Sequence, residues 1–154
     1  MIQRIYIDTS VVGGYFDEEF AVNTVPFFES VRQGEMIIIV SDLLNKELIK
    51  APAHVRALLE TIPSDYIEYM ALTPEAKSLA SQYVEAKVVG KTSLDDCQHI
   101  AMATIGKADV LVSWNFKHIV NLTRINGYNG INILLGHKAI EIRTPKEVMN
   151  YENK

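Results

Sequence analysis

Two observations predict an α/β protein built on a mostly parallel sheet. Short apolar strands alternate with amphipathic helices along the chain, and polar residues gather just past the strand ends. No repeat, low-complexity tract or linker-like stretch interrupts that rhythm, so all 154 residues are expected to form one domain.

Residues 4–8 read as a buried strand that ends where Thr9-Ser10 and Gly13-Gly14 follow. Val25, Phe28 and Val31 stand at helical spacing over 24–33, with Pro26 in the first turn and Gly34 as the stop. A second strand over 36–40 leads to Ser41, which caps a helix through Lys50 that halts before Pro52. A further helix spans 54–61, and 66–70 suits a short strand. Pro74 starts a helix to about Lys87, and another fills 94–105 between Ser93 and Gly106. A third apolar strand over 109–113, a short helix over 118–125 ended by Gly127, a strand over 132–135 and a helical turn from Thr144-Pro145 complete the chain.

Hydrophobic residues make up 48% and charged residues 22%, enough apolar material for a real core. Cys97 stands alone, which excludes an intramolecular disulfide and suits a reducing compartment. The run 36–40 is far too short to cross a bilayer, and the N-terminus reaches Asp8 after a brief apolar stretch. A soluble cytoplasmic protein with no membrane partner is expected. The net charge of −4 argues against binding nucleic acid by overall charge. A phosphate-bearing substrate would need a cation between it and the acidic groups, or a local basic patch.

In parallel sheets ligands sit beyond the carboxyl ends of the strands. Asp8 ends the first strand, with the hydroxyls of Thr9 and Ser10 beside it. Glu47 lies in the helix after the second strand, Asp95 and Asp96 open the 94–105 helix, and Ser113 and Asn115 follow the third strand. Converging carboxylates repel one another unless a cation neutralises them, and oxygen-only donors suit Mg²⁺ or Mn²⁺. Such a metal can generate hydroxide and stabilise charge on a scissile phosphate. Each residue also has a simpler reading. Asp8 can cap the next turn, Glu47 can pair with Lys50, and Asp95 can serve the helix dipole. Ser93 with Asp96 has capping-box spacing, and Asn115 is an ordinary turn residue. The functional reading rests on their joint placement.

The ordered set resembles the PIN-domain family, the fold of many bacterial and archaeal ribonuclease toxins. Ile5-Tyr-Ile-Asp8-Thr9-Ser10 is similar to that family's strand-end Asp followed by a small hydroxyl residue. Glu47 in Asn45-Lys-Glu-Leu-Ile49 resembles its second acid, and Asp96-Cys-Gln-His-Ile-Ala-Met-Ala103 its Asp with an alanine-rich helix. Val112-Ser-Trp-Asn-Phe116 resembles the segment that often carries a fourth Asp, where this chain has the uncharged Asn115. The resemblance implies a three-layer α/β/α sandwich and a metal-dependent endoribonuclease. Asp8, Glu47, Asp96 and Asn115 would be the catalytic set, and Asp8, Asp96, Glu47 and Asp95 the residues toward Mg²⁺ or Mn²⁺. Thr9, Ser10, Ser113 and His99 would support them. RNA as substrate, an antitoxin protein as partner and a homodimer follow from the same likeness. A catalytically weak PIN-like module that binds RNA or protein is the rival reading, because of Asn115.

Other signals are weaker. Gly90-Lys91-Thr92 is similar to the end of a phosphate-binding loop, but Glu85 stands where that loop needs glycine. Asp8-Thr9-Ser10 is similar to the nucleophile of haloacid-dehalogenase-type phosphatases, but Ser10 replaces their second Asp. His54, His99, His118 and His137 lack zinc spacing. His99, three residues after Asp96, reads first as a structural histidine and second as a substrate contact. Trp114 and Phe116 suit either the core or a base-stacking role. Lys91, Lys117, His118 and Arg124 suit solvated surface or local positive charge.

Overall fold

The structure is a computed structural model that describes residues 2–89 and 93–152; Gly90-Lys91-Thr92, with its loop motif and Lys91, lies outside the described residues. Five strands form one sheet: β1 (Gln3–Ile7), β2 (Met36–Ser41), β3 (Ile67–Met70), β4 (Val110–Val112) and β5 (Ile142–Arg143). Their order is β3-β2-β1-β4-β5, and every neighbouring pair is parallel. The parallel sheet needs crossovers, which the helices supply: α1 (Thr9–Gly14), α2 (Ala21–Arg32), α3 (Asp42–Leu48), α4 (Ala53–Arg56), α5 (Pro74–Glu85), α6 (Leu94–Ile105), α7 (Leu122–Leu134) and α8 (Pro145–Glu152).

Strand periodicity sorts the core into two layers. Ile5, Ile7, Ile38, Val40, Val110 and Val112 face one side, against Phe27, Phe28 and Val31 of α2 and Val148 of α8. Tyr6, Ile39 and Leu111 face the other, against Leu79 and Tyr83 of α5, Ile100 of α6 and Tyr128 of α7. The three-layer α/β/α sandwich is thus the observed architecture. Each fully buried aliphatic side chain contributes about 1.5–3 kcal/mol of transfer free energy.

Several expected elements take a different form. The stretch read only as the break after the first strand is a helix, α1, whose Val11 and Val12 turn into the core. Gly14 permits this: a Cβ there would lie 2.7 Å from Trp114 Cδ1. α2 begins at Ala21, a turn earlier than the 24–33 reading, so Pro26 lies inside it. The carbonyl that Pro26 deprives of a donor belongs to Val22, an exposed residue open to solvent. The 54–61 helix is a short α4 followed by a 3₁₀ turn over Ala57–Thr61.

The strand expected over 132–135 is wrong. Those residues finish and follow α7, which passes straight through Gly127. Gly127 is a packing residue rather than a stop, since a Cβ there would meet Val88 Cγ1 at 2.8 Å. Buried Asn132 accepts the Tyr83 hydroxyl at 2.5 Å, while Ile133 and Leu134 are exposed. The fifth strand is instead the two-residue β5, too short to show a period. α8 starts on a capping box in which Thr144 Oγ1 accepts the Glu147 amide at 3.1 Å and Glu147 Oε1 accepts the Thr144 amide at 3.1 Å. No described helix is long and apolar enough to cross a membrane.

Candidate active site

The chain leaves β1 toward β2 and β3 on one side and returns to β4 and β5 on the other. The crevice beyond the carboxyl ends of β1 and β4 is therefore the topological switch point, where open α/β sheets place their ligands. Asp8 follows β1 at this crevice, and Ser113 follows β4.

Asp8 is almost fully buried, at 3% exposure. It occupies the position before α1 without capping it through its side chain. Its two oxygens are taken separately: Ser10 Oγ donates to Oδ1 at 2.6 Å and Ser113 Oγ donates to Oδ2 at 2.6 Å. Ser10 Oγ in turn accepts the Trp114 amide at 2.9 Å, and Ser113 Oγ accepts the Asn115 amide at 2.9 Å. The two strand ends are laced together through the carboxylate. Burial pushes the Asp8 carboxyl above its ordinary range, against the pull of His99 and the two serines.

Asp96 lies in the first turn of α6. Partial burial raises its carboxyl first and the charge of Asp8 raises it further, with His118, His99 and a hydrogen bond to Asn115 working the other way. Asn115 Oδ1 accepts the amides of Lys117 at 3.2 Å and His118 at 3.0 Å. Asn115 is thus a turn residue by its bonds. Ser93 makes no side-chain cap on α6; its hydroxyl lies 3.0 Å from His118 Nδ1.

Glu47 comes from α3, whose start Ser41 fixes by accepting the Leu44 amide at 3.0 Å. Thr9 Oγ1 donates to Glu47 Oε1 at 2.9 Å, and His99 Nε2 lies 2.6 Å from the same oxygen. Partial burial works against ionisation of Glu47, but the bond and charge of His99 with the Thr9 hydroxyl outweigh it and hold the carboxyl below its usual range. His99 is itself buried, and its Nδ1 lies 2.7 Å from the Tyr6 hydroxyl, which also reaches Ser41 Oγ at 3.0 Å. Tyr6 is the residue that sequence reasoning missed. Its place in an apolar strand reads only as core, and nothing local signals a partner 93 residues away.

Asp95 stands apart from this network. It is exposed on α6 and lines a shallow cleft with Leu43, Lys46, Glu47 and Lys50. The structure thus gathers Asp8, Ser10, Ser113, Asp96 and Asn115 at the switch point, and ties Glu47, Thr9 and His99 beside it. Among the described residues no three His, Cys, Asp or Glu side chains converge as a ready metal cage. The donor set does suit a hard divalent cation. Asp8 and Asp96 offer oxygens only, they repel each other, and burial penalises the charge that a cation would neutralise.

The chain matches no protein-family model and no curated protein. Solved structures do match across most of its length. The structure of VapBC2 from Rickettsia felis, bound to a DNA fragment from their promoter, aligns with a TM-score of 0.59 at 14% identity over 92% of this chain and 98% of that one. FitAcB from Neisseria gonorrhoeae aligns at 0.57 with 11% identity over 92% and 97%. VapC20 from Mycobacterium tuberculosis, a toxin that cleaves the sarcin-ricin loop, aligns at 0.56 with 12% identity over 73% and 91%. At such identities the likeness is one of fold, and in its fold this chain is PIN-domain-like.

Proposed function

We propose that this chain is a divalent-metal-dependent endoribonuclease, the toxin of a toxin–antitoxin pair. The observation that carries the reading is the buried Asp8 at the switch point, close enough to Asp96 for their charges to oppose each other. The shared fold supports it, since one protein of that fold is a toxin that cleaves the sarcin-ricin loop. Asp8 and Asp96 would hold Mg²⁺ or Mn²⁺, while Asn115, whose Oδ1 accepts the Lys117 and His118 amides, would shape the turn beside them. When bound, the cation supplies Lewis acidity toward a phosphate oxygen and lowers the pKa of water.

The remaining roles belong to the protein. Ser10 and Ser113 orient the Asp8 carboxylate through its two oxygens. Glu47 spends Oε1 on Thr9 and His99, leaving Oε2 to orient a water and take its proton as oxygen attacks phosphorus. The phosphorus–oxygen ester bond then breaks, and the departing oxygen takes a proton from solvent. Lys46 and Lys50, on the cleft beside Glu47, offer local positive charge that the net charge conceals.

The test is cleavage of single-stranded and structured RNA with added Mn²⁺ or Mg²⁺, using EDTA and Asp8→Asn as controls. Loss of cleavage by 100-fold or more in both, as expected on the order of removing an essential group, supports the reading; cleavage that survives Asp8→Asn refutes it. Asn115 favours a second reading, a binding module without turnover. Activity that appears only in Asn115→Asp would establish that one. An antitoxin partner and a homodimer belong to the first reading and are read out by co-purification and sedimentation.

A further inference from the structure

The segment that carries Ser113 and Asn115 also carries Trp114 and Phe116, and the two kinds of residue are placed differently. Trp114 is 9% exposed, stacked on Phe20 with centroids 4.5 Å apart, and donates from Nε1 to Thr24 Oγ1 at 2.9 Å. Phe116 is 52% exposed, with its ring 6.1 Å from Trp114 and 6.4 Å from Phe20. It is a phenyl ring held open to solvent on a backing of two other aromatics. The backbone beneath it is fixed, since Asn115 Oδ1 accepts the amides of Lys117 and His118. Lys117 is exposed beside it.

We infer that Phe116, backed by Trp114 and Phe20, is a stacking platform for one base of single-stranded RNA next to the acidic centre, with Lys117 placed for the adjoining phosphate. The inference rests on the endoribonuclease reading for its substrate. Neighbouring Cα atoms lie about 3.8 Å apart, so Phe116 stands within one nucleotide of a phosphate held at Asn115 and Asp96. A net charge of −4 limits what counterion release supplies, so stacking adds affinity beside the few local lysines. Stacking tolerates any base but needs the base unpaired. The acidic run Asp17, Glu18 and Glu19 leads into Phe20, so the RNA backbone would leave on the Lys117 side. The same run fits a basic protein segment, which is the competing occupant.

The experiment is fluorescence anisotropy of labelled oligouridylate, with Asp8→Asn as parent so that the strand stays intact. Adding Phe116→Ala should weaken binding by about tenfold, and adding Phe116→Tyr by less than about twofold. A fully abasic strand of the same length should erase the difference between Phe116 and Ala, and duplex RNA should bind no better to the parent than to the Ala variant. Thermal melting confirms that the exposed substitution leaves the fold intact. Equal binding by Phe116 and Ala, or no binding by the parent, overturns the inference; binding of oligoarginine in place of RNA would assign the surface to a basic partner. RNA held through Phe116 but never cut by the unsubstituted protein would sink the nuclease reading alone. Cleavage indifferent to Phe116→Ala would sink the platform alone.

Discussion

Asp8 shows how much the fold sacrifices locally to keep one carboxylate in place. Burial holds its carboxyl above the ordinary range, so the folded chain favours the protonated form. That contribution to stability is present below the ordinary carboxylate range and is lost as pH rises through it toward the raised value. Asp8→Asn is neutral at every pH and escapes the loss. In EDTA the variant should melt higher than the parent at neutral pH and match it in acid, and Mn²⁺ should narrow the gap by stabilising only the parent. Equal melting temperatures across pH would show that Asp8 is not strained by its charge. Tyr6 and His99 present the opposite case, a buried pair whose polar atoms are all partnered. Tyr6→Phe leaves His99 Nδ1 without a partner and should cost about 1–3 kcal/mol in urea unfolding. It should also bring the Glu47 carboxyl closer to its ordinary range, readable by NMR titration.

At the scale of elements, α7 separates two uses of glycine. Gly130 has nothing within 4 Å of a Cβ and sits in the helix interior, so Gly130→Ala should stabilise by about 0.5–1 kcal/mol. Gly127 has the same backbone benefit, but its Cβ would press on Val88. Gly127→Ala should therefore gain nothing or destabilise. Chemical denaturation of the two variants side by side distinguishes a packing glycine from an incidental one. α6 works differently: its small residues Ala101 and Ala103 are both buried in the same core layer as His99's neighbours Ile100 and Met102. Its Cys97 is buried and pushed up to about 12, first by burial and then by the charge of Asp96, so the native thiol should resist alkylation until the chain unfolds.

For the whole molecule, β1 is the axis. It is paired on both edges, to β2 and β4, while β3 and the two-residue β5 close the sheet. Hydrogen exchange should be slowest in the amides of β1 and the neighbouring core of β2, and markedly faster in β5. Because Asp8 hangs directly from β1, this carboxylate is anchored on the most protected segment, while Trp114, Phe116 and Lys117 lie on the turn after β4. Uniform protection across the sheet would contradict this division of labour.

The sequence by itself determined the alternating strands and helices, the sheet's parallel character, and the set of polar residues at strand ends. Those signals are local: apolar runs at 36–40, the Ser41 cap and the helix over 94–105 carry their own periods and boundaries. The positions of Asp8 just past β1, Glu47 within α3, Asp96 in the first turn of α6 and Asn115 past β4 were legible for the same reason, since each is set by a readable element. The tertiary structure alone decided the rest. α1 forms although Thr9–Gly14 is rich in glycine and β-branched residues, because Val11 and Val12 have a core to enter. Residues 132–134 end α7 rather than form a strand, and Asn132 there meets Tyr83, a partner no local pattern encodes. The pairing of Glu47 with His99, and of His99 with Tyr6, required three elements to converge before any of those side chains had a partner.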